Sequence, residues 1–230
     1  MDGTLVDTEG YWMAAETELI EAHGGRWSPQ DALAVVGMGL VEAAEIFKSH
    51  GVTLTTREII DWMTDRVMQQ VETSVPWRPG ARELLAELRE AGISTALVTM
   101  SEHRMAAKIV EAIGFAAFDL IIGGDDVSRA KPDPEPYLLA ARTLGVDISQ
   151  CIALEDSVPG LRSAVASGAV SIGIPLHAVL APASSHTLWE SLDGKTLADL
   201  LTLFVEQTAD SPHAIHAPPA PSISEDASHV

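Results

Sequence analysis

Residues 93–114 read ISTALVTMSEHRMAAKIVEAIG. Ile93–Thr99 is a short run rich in β-branched and aliphatic residues. It shows little two-residue alternation, the pattern of a parallel strand buried on both faces. His103–Ile113 follows with helical periodicity and stops at Gly114. A glycine is favoured there because a helix C-terminus often ends in a left-handed residue. The same unit recurs along the chain. Leu120–Ile122, Cys151–Leu154 and Val170–Ile174 are further strand candidates. Ala81–Ala91 stops at Gly92, Glu135–Leu144 at Gly145 and Val158–Ser167 at Gly168. Strand–helix alternation of this kind implies an α/β fold, a doubly wound parallel sheet.

The first third of the chain reads differently. Gly10–Ala22, Pro29–Val36, Leu40–His50 and Arg57–Thr73 are helical patterns with no strand between them. Ser28 before Pro29, and Thr56 before the longest run, are candidate N-caps. The expected organisation is a core of residues 1–8 and 78–207 with a helical insert at 9–77. Pro76, Pro79 and Gly80 mark the exit from the insert. Thr196–Gln207 is a last helix, with Thr196 and Asp199 spaced as a capping pair. Residues 208–230 hold four prolines and no periodic apolar face, so a disordered tail is expected there.

With 230 residues, 47% of them apolar, the chain is long enough for one sizeable core plus a small inserted domain. Its net charge is −19, from 33 acidic and 14 basic residues. Nucleic acid and anionic membranes, which need a basic footprint, are therefore poor partners. The single cysteine, Cys151, excludes a disulfide framework and reads as a small buried hydrophobe. No signal peptide or membrane-spanning run is evident, so a cytoplasmic protein is expected. No segment specifies an oligomeric state. The eight histidines show no metal spacing, and His213, His216 and His229 read as solvated tail residues.

Four short loops carry chemistry. Asp2-Gly3-Thr4 belongs just past a strand's carboxyl end, where open α/β sheets place ligands; alone, it reads equally as a turn. Thr99-Met100-Ser101 ends one strand and precedes a helix. A hydroxyl there suits a phosphate oxygen or an ordinary N-cap. Lys131-Pro132-Asp133-Pro134 holds one of only four lysines on a loop stiffened by two prolines. A fixed ammonium can grip a phosphoryl group, while a solvated loop lysine is the plainer reading. Glu155-Asp156-Ser157 ends another strand, and adjacent carboxylates there call for a cation; Mg²⁺ fits.

Together these loops resemble the four motifs of the haloacid dehalogenase (HAD) superfamily, in order and spacing over about 170 residues. The helical insert is similar to that family's small helical cap. The resemblance implies a Rossmann-like core and Mg²⁺-dependent hydrolysis of a small phosphorylated metabolite through an aspartyl-phosphate. Asp2 would protonate the leaving oxygen and then activate water. Lys131, Thr99 and Met100 would hold the phosphoryl oxygens, and Gly3 would let backbone approach them. Asp2 (through its carbonyl), Glu155 and Asp156 would bind Mg²⁺.

Asp2 argues against dehalogenation, since a departing halide needs no general acid. Lys48, the only lysine of the insert, leaves little for the Schiff-base chemistry of phosphonate hydrolases. β-Phosphoglucomutases share Asp2 and the cap, and are similar around Asp7-Thr8-Glu9. They carry a histidine where this chain has Trp12, and an arginine near Gly37 where it has Met38-Gly39. A phosphomonoester phosphatase of small phosphorylated metabolites, with sugar phosphates among the candidates, is the preferred reading; a mutase, or a non-catalytic phosphate-binding or interaction module, is the alternative. Trp12, Trp62 and Met38 read first as packing inside the cap, second as a rim of the cleft.

The family signature is Asp-x-Asp-Gly-Thr, and its first Asp is the nucleophile. Here Met1 is the x and Asp2 the second Asp. The expectation is therefore a core lacking its first strand, with the nucleophile one position before Met1. A start set too late in the reading frame is the favoured explanation, because a core without a central strand exposes its neighbours' edges. Such a loss is large against a typical stability of roughly 5–15 kcal/mol.

Overall fold

Helices form where apolar stripes meet clear caps. In this computed structural model, which describes residues 1–36 and 38–209, four helices follow Thr8: α1 (Glu9–Ala22), α2 (Pro29–Val35), α3 (Leu40–Ser49) and α4 (Thr56–Thr73). Ser28 caps α2 as expected, accepting from Asp31 N at 3.2 Å while Asp31 Oδ2 accepts from Ser28 N at 2.9 Å. The cap of α4 is Thr55, not Thr56. Thr55 is the extended residue whose hydroxyl meets Glu58 N, and the Thr56 hydroxyl donates to Glu45 Oε1 at 2.7 Å. Lys48 lies beside it, paired with the same Glu45 carboxylate at 2.9 Å.

The α/β part follows Gly80. Helix α5 (Ala81–Glu90) leads to β1 (Ala96–Val98), α6 (His103–Ile113) and β2 (Leu120–Ile122). Helix α7 (Glu135–Leu144) leads to β3 (Ile152–Glu155), α8 (Val158–Ser167), β4 (Val170–Gly173) and the two-residue β5 (Thr187–Leu188). Gly114 and Gly168 end α6 and α8 at φ 80° and 90°, as their positions predict. Helix α9 (Leu197–Ala209) starts at the Thr196–Asp199 pair, where Thr196 N donates to Asp199 Oδ2 at 2.9 Å. It runs two residues into the segment read as a tail. Residues 210–230, with their histidines, lie outside the described residues.

All strand pairings are parallel, but the strands form two ladders. One is β1–β2; the other is β3–β4–β5. Strand β4, between two partners, is buried along its whole length. Strands β1 and β3 alternate between buried and half-buried positions, which corrects the expectation of burial on both faces. The reason is that successive side chains point to opposite faces, and one face of each strand is fully covered while the other is only partly so. Strand β5 had no sequence signal, and Cys151 is half-buried rather than enclosed.

One apolar core runs through both parts, from Leu19, Ile20, Ile59 and Val67 to Leu97, Ile109 and Ile172. Helix α4 packs against α6. At the rim of this contact Arg57 pairs with Glu102 at 2.5 Å, and Arg104 pairs with Asp61 and Asp65 at 2.9 and 2.5 Å. These pairs are solvent-exposed, so they orient the contact more than they stabilise it.

Candidate active site

The N-terminal segment folds back on itself rather than extending. Leu5 N donates to Met1 O at 2.8 Å, and Gly3 N to Val6 O at 2.8 Å. Gly3 adopts φ 73°, a conformation that costs glycine little. This tight turn sets Asp2 at the mouth of a cleft of about 410 Å³. Asp2 Oδ1 accepts from Thr8 Oγ1 at 2.5 Å, and Oδ2 from Ser101 Oγ at 2.9 Å. The loop after β1 thus reaches the Asp2 loop through Ser101. The Thr99 hydroxyl is turned to its own loop, accepting from Ser101 N at 3.1 Å. Met100 is partly exposed, and its sulfur accepts from Lys131 N at 3.3 Å.

Lys131 and Glu155 form the buried pair of the site. Lys131 Nζ lies 2.5 Å from Glu155 Oε1, with side chains 8% and 6% exposed. Nζ also donates to Val98 O at 3.0 Å. One ammonium therefore joins the carboxyl ends of β1 and β3, which share no ladder. Tyr137 OH donates to the same Glu155 oxygen at 2.5 Å. Burial pushes the Glu155 carboxyl up, but Lys131, the chain's N-terminal charge and the Tyr137 hydrogen bond together outweigh burial and hold it below its ordinary value. Burial and the Glu155 charge raise the Tyr137 phenol well above its own, so it stays a donor.

Asp156 faces the other way. Its Oδ1 accepts from Thr4 Oγ1 at 2.7 Å. Its Oδ2 stands 2.0 Å from where a Cβ on Gly3 would be, so the two chains touch. Burial raises the Asp156 carboxyl, and the neighbouring Glu155 charge adds to this, against the Thr4 hydrogen bond. A buried carboxylate held this way gains from a hard cation, and oxygen donors suit Mg²⁺. Among the described residues no ready-made group of three or more His, Cys, Asp or Glu surrounds a metal position. The donors would be Asp156, the Asp2 carbonyl and Glu155, the last already engaged by Lys131.

Two contributors escaped the sequence reading. Arg78 is 7% exposed and donates to Gly3 O, to Ile174 O at 3.0 Å and to Pro175 O at 3.3 Å. It holds the Asp2 turn against the end of β4. Glu16, on α1, is 5% exposed and lines the cap side of the cleft. Its Oε2 accepts from Trp27 Nε1 at 3.2 Å. A signal existed: an acidic residue among Ala15, Leu19 and Ile20 on a buried helical face. Trp12 and Met38 line the same cleft, so they are not both cap interior; Trp62 packs on the core.

Burial pushes Glu16 up to about 7, against the Trp27 hydrogen bond and with help from the Glu9 charge. A carboxyl raised in the folded state contributes stability below its unfolded value of 4.5, lost as pH rises through 7. Glu16→Gln is therefore expected to be more stable than the natural chain at pH 8, by at most about 3 kcal/mol. The gain should vanish by pH 4.5, as read by urea unfolding across that window. A difference that stays constant with pH would mean that Glu16 ionises normally.

Comparison with known proteins sets these features in a family. The model described as "haloacid dehalogenase-like hydrolase" matches residues 1–168. Hexitol phosphatase B of Escherichia coli (strain K12) is 30% identical over 179 residues, 76% of this chain and 81% of that protein. The bifunctional riboflavin kinase/FMN phosphatase of Arabidopsis thaliana is 31% identical over 178 residues. The match spans 76% of this chain but only 47% of that longer protein. The crystal structure of CbbY from Rhodobacter sphaeroides in complex with phosphate superposes with a TM-score of 0.76 at 30% identity. That match covers 87% of this chain and 96% of CbbY.

Proposed function

The chain belongs to the haloacid dehalogenase-like hydrolases, and on that premise we propose that it is a phosphatase of small phosphorylated metabolites, sugar phosphates among them. The observation that carries the reading is the convergence of Asp2, Ser101, Lys131 and Asp156 from four separate loops on one cleft. The relation to hexitol phosphatase B supports the substrate class.

In this reading the Lys131 ammonium and the Thr99–Met100 loop hold the phosphoryl oxygens as negative charge builds. Asp2, oriented by Thr8 and Ser101, protonates the departing oxygen and then takes a proton from the attacking water. In the family mechanism carried over here, the attacking carboxylate is the first aspartate of the Asp-x-Asp-Gly-Thr signature, and it forms an aspartyl-phosphate. Asp156, the Asp2 carbonyl and Glu155 would hold Mg²⁺, whose charge offsets that of the phosphoryl group. Residues 9–77 act as the cap that closes over the leaving group, beside a core of 1–8 and 78–207.

The test uses a chain extended at its N-terminus so that the first aspartate of the signature stands directly before Met1. It should release phosphate from para-nitrophenyl phosphate and hexitol phosphates with Mg²⁺. EDTA and Asp156→Ala should each remove the turnover. Activity that survives Asp156→Ala would sink the metal assignment. Phosphate binding with no turnover would favour the non-catalytic alternative.

A further inference from the structure

Helix α1 builds the cap wall of the cleft. Glu9, Trp12 and Glu16 all line it, spaced three and four residues apart on one helical face. At 1.5 Å per residue the row is about 10 Å long. Its near end adjoins Asp2 and Thr8, and beyond Glu16 the wall is apolar, with Val35, Ala43, Phe47 and Met63. Glu16 is the one buried acidic side chain of this row, at 5% exposure. Only its Oε2 has a hydrogen-bond partner among the described residues, Trp27 Nε1 at 3.2 Å. The sole fully enclosed side-chain atom without a partner among them is Thr64 Oγ1, so Glu16 Oε1 is open to the cleft.

The charge of the wall narrows what can meet it. Among the described cap residues lining the cleft there is no Lys, Arg or His, while Glu9 and Glu16 are acidic. Lys48, the cap lysine, is held away by Glu45 and Thr56 at 2.9 and 2.6 Å. Lys131 and His177, the basic side chains of the cleft, stand on the core side, His177 3.3 Å from Asp7 Oδ1.

We propose that Glu16 selects the leaving group, accepting a hydrogen bond from a hydroxyl or ammonium group carried by a phosphomonoester at its end distal to phosphorus. The same wall rejects a second phosphate or a carboxylate at that end, because like charges meet there without a cation. The substrates are then monophosphates with a donor-bearing tail, and bisphosphates are excluded. This inference rests on the phosphatase reading and deepens it.

Binding tests it without need of turnover. The full chain with Mg²⁺ is titrated calorimetrically with inorganic phosphate, glucitol 6-phosphate, glucosamine 6-phosphate and glucose 1,6-bisphosphate. At least one of the two monophosphates should bind at least about tenfold more tightly than the bisphosphate, the scale of one hydrogen bond to a charged group. Glu16→Gln keeps the shape and removes the charge, and should shrink that ratio to about threefold or less. A larger loss for glucosamine 6-phosphate marks an ammonium as the donor; equal losses mark a hydroxyl. A bisphosphate that binds the natural chain as tightly as both monophosphates overturns the inference, and that comparison needs no variant. A ratio untouched by Glu16→Gln does so as well. If inorganic phosphate and all three esters fail to bind, the phosphatase reading falls and takes this inference with it. Phosphate binding without discrimination removes the inference alone.

Discussion

Lys131→Met is expected to destabilise the protein by about 3–5 kcal/mol, because it leaves the Glu155 carboxylate buried without its cation. The pair is 2.5 Å apart and more than nine-tenths enclosed on both sides, so water cannot take over the missing charge. The loss reaches beyond the pair. Nζ also ties Val98 O to Glu155, and so joins the carboxyl ends of two ladders that share no backbone hydrogen bonds. Turnover of the extended chain should fall by about 10²–10⁴-fold if, as proposed, the same ammonium holds the phosphoryl oxygens. Chemical denaturation and phosphate release separate the two effects. Adding Glu155→Gln should recover most of the stability, because the second charge is gone, and none of the turnover. A single variant that loses less than about 1 kcal/mol would mean the pair behaves as a solvated surface pair.

Gly3→Ala should be a highly damaging change for a single methyl group. Two effects add. Gly3 sits at φ 73°, where an L side chain is strained, by about 1 kcal/mol. The new Cβ would also lie 2.0 Å from Asp156 Oδ2 and 2.5 Å from its Cγ, so the carboxylate has to move. Displacing a reacting group by about 1 Å is enough to lower a rate about 10²-fold. Mg²⁺-dependent phosphate release should therefore fall at least that far while the chain still melts cooperatively, with a modestly lower midpoint. Normal turnover in Gly3→Ala would show that Asp156 does not need its present position, and would remove it from the proposed metal set.

Much of the fold was legible because it depends on neighbours in sequence. The helices from Glu9 to Ala209 follow apolar stripes, N-caps and glycine stops, signals that act within a turn or two. The one misplaced cap, Thr56 for Thr55, arose because both residues carry the same hydroxyl. Only the extended backbone at Thr55 turns its side chain to Glu58 N. Strand β5 is two residues long, too short for any periodicity, and exists only because β4 offers it an edge.

The candidate site divides in the same way. The sequence by itself singled out the candidate loops, because Thr99 and the Glu155–Asp156 pair stand at strand ends, and Asp2 and Lys131 sit in short glycine- or proline-marked loops, signals that can be read locally. Tertiary structure alone decided how those groups share the work. Arg78 reaches Gly3 and Ile174 across 75 and 96 residues, and Tyr137 meets Glu155 across 18. Packing aims Glu155 at Lys131 and leaves Asp156 beside the Asp2 turn. It also buries Glu16 facing the cleft rather than solvent. The reason is physical: hydrogen-bond partners and burial depend on what folds against a residue, and a pattern along the chain records only the residues beside it.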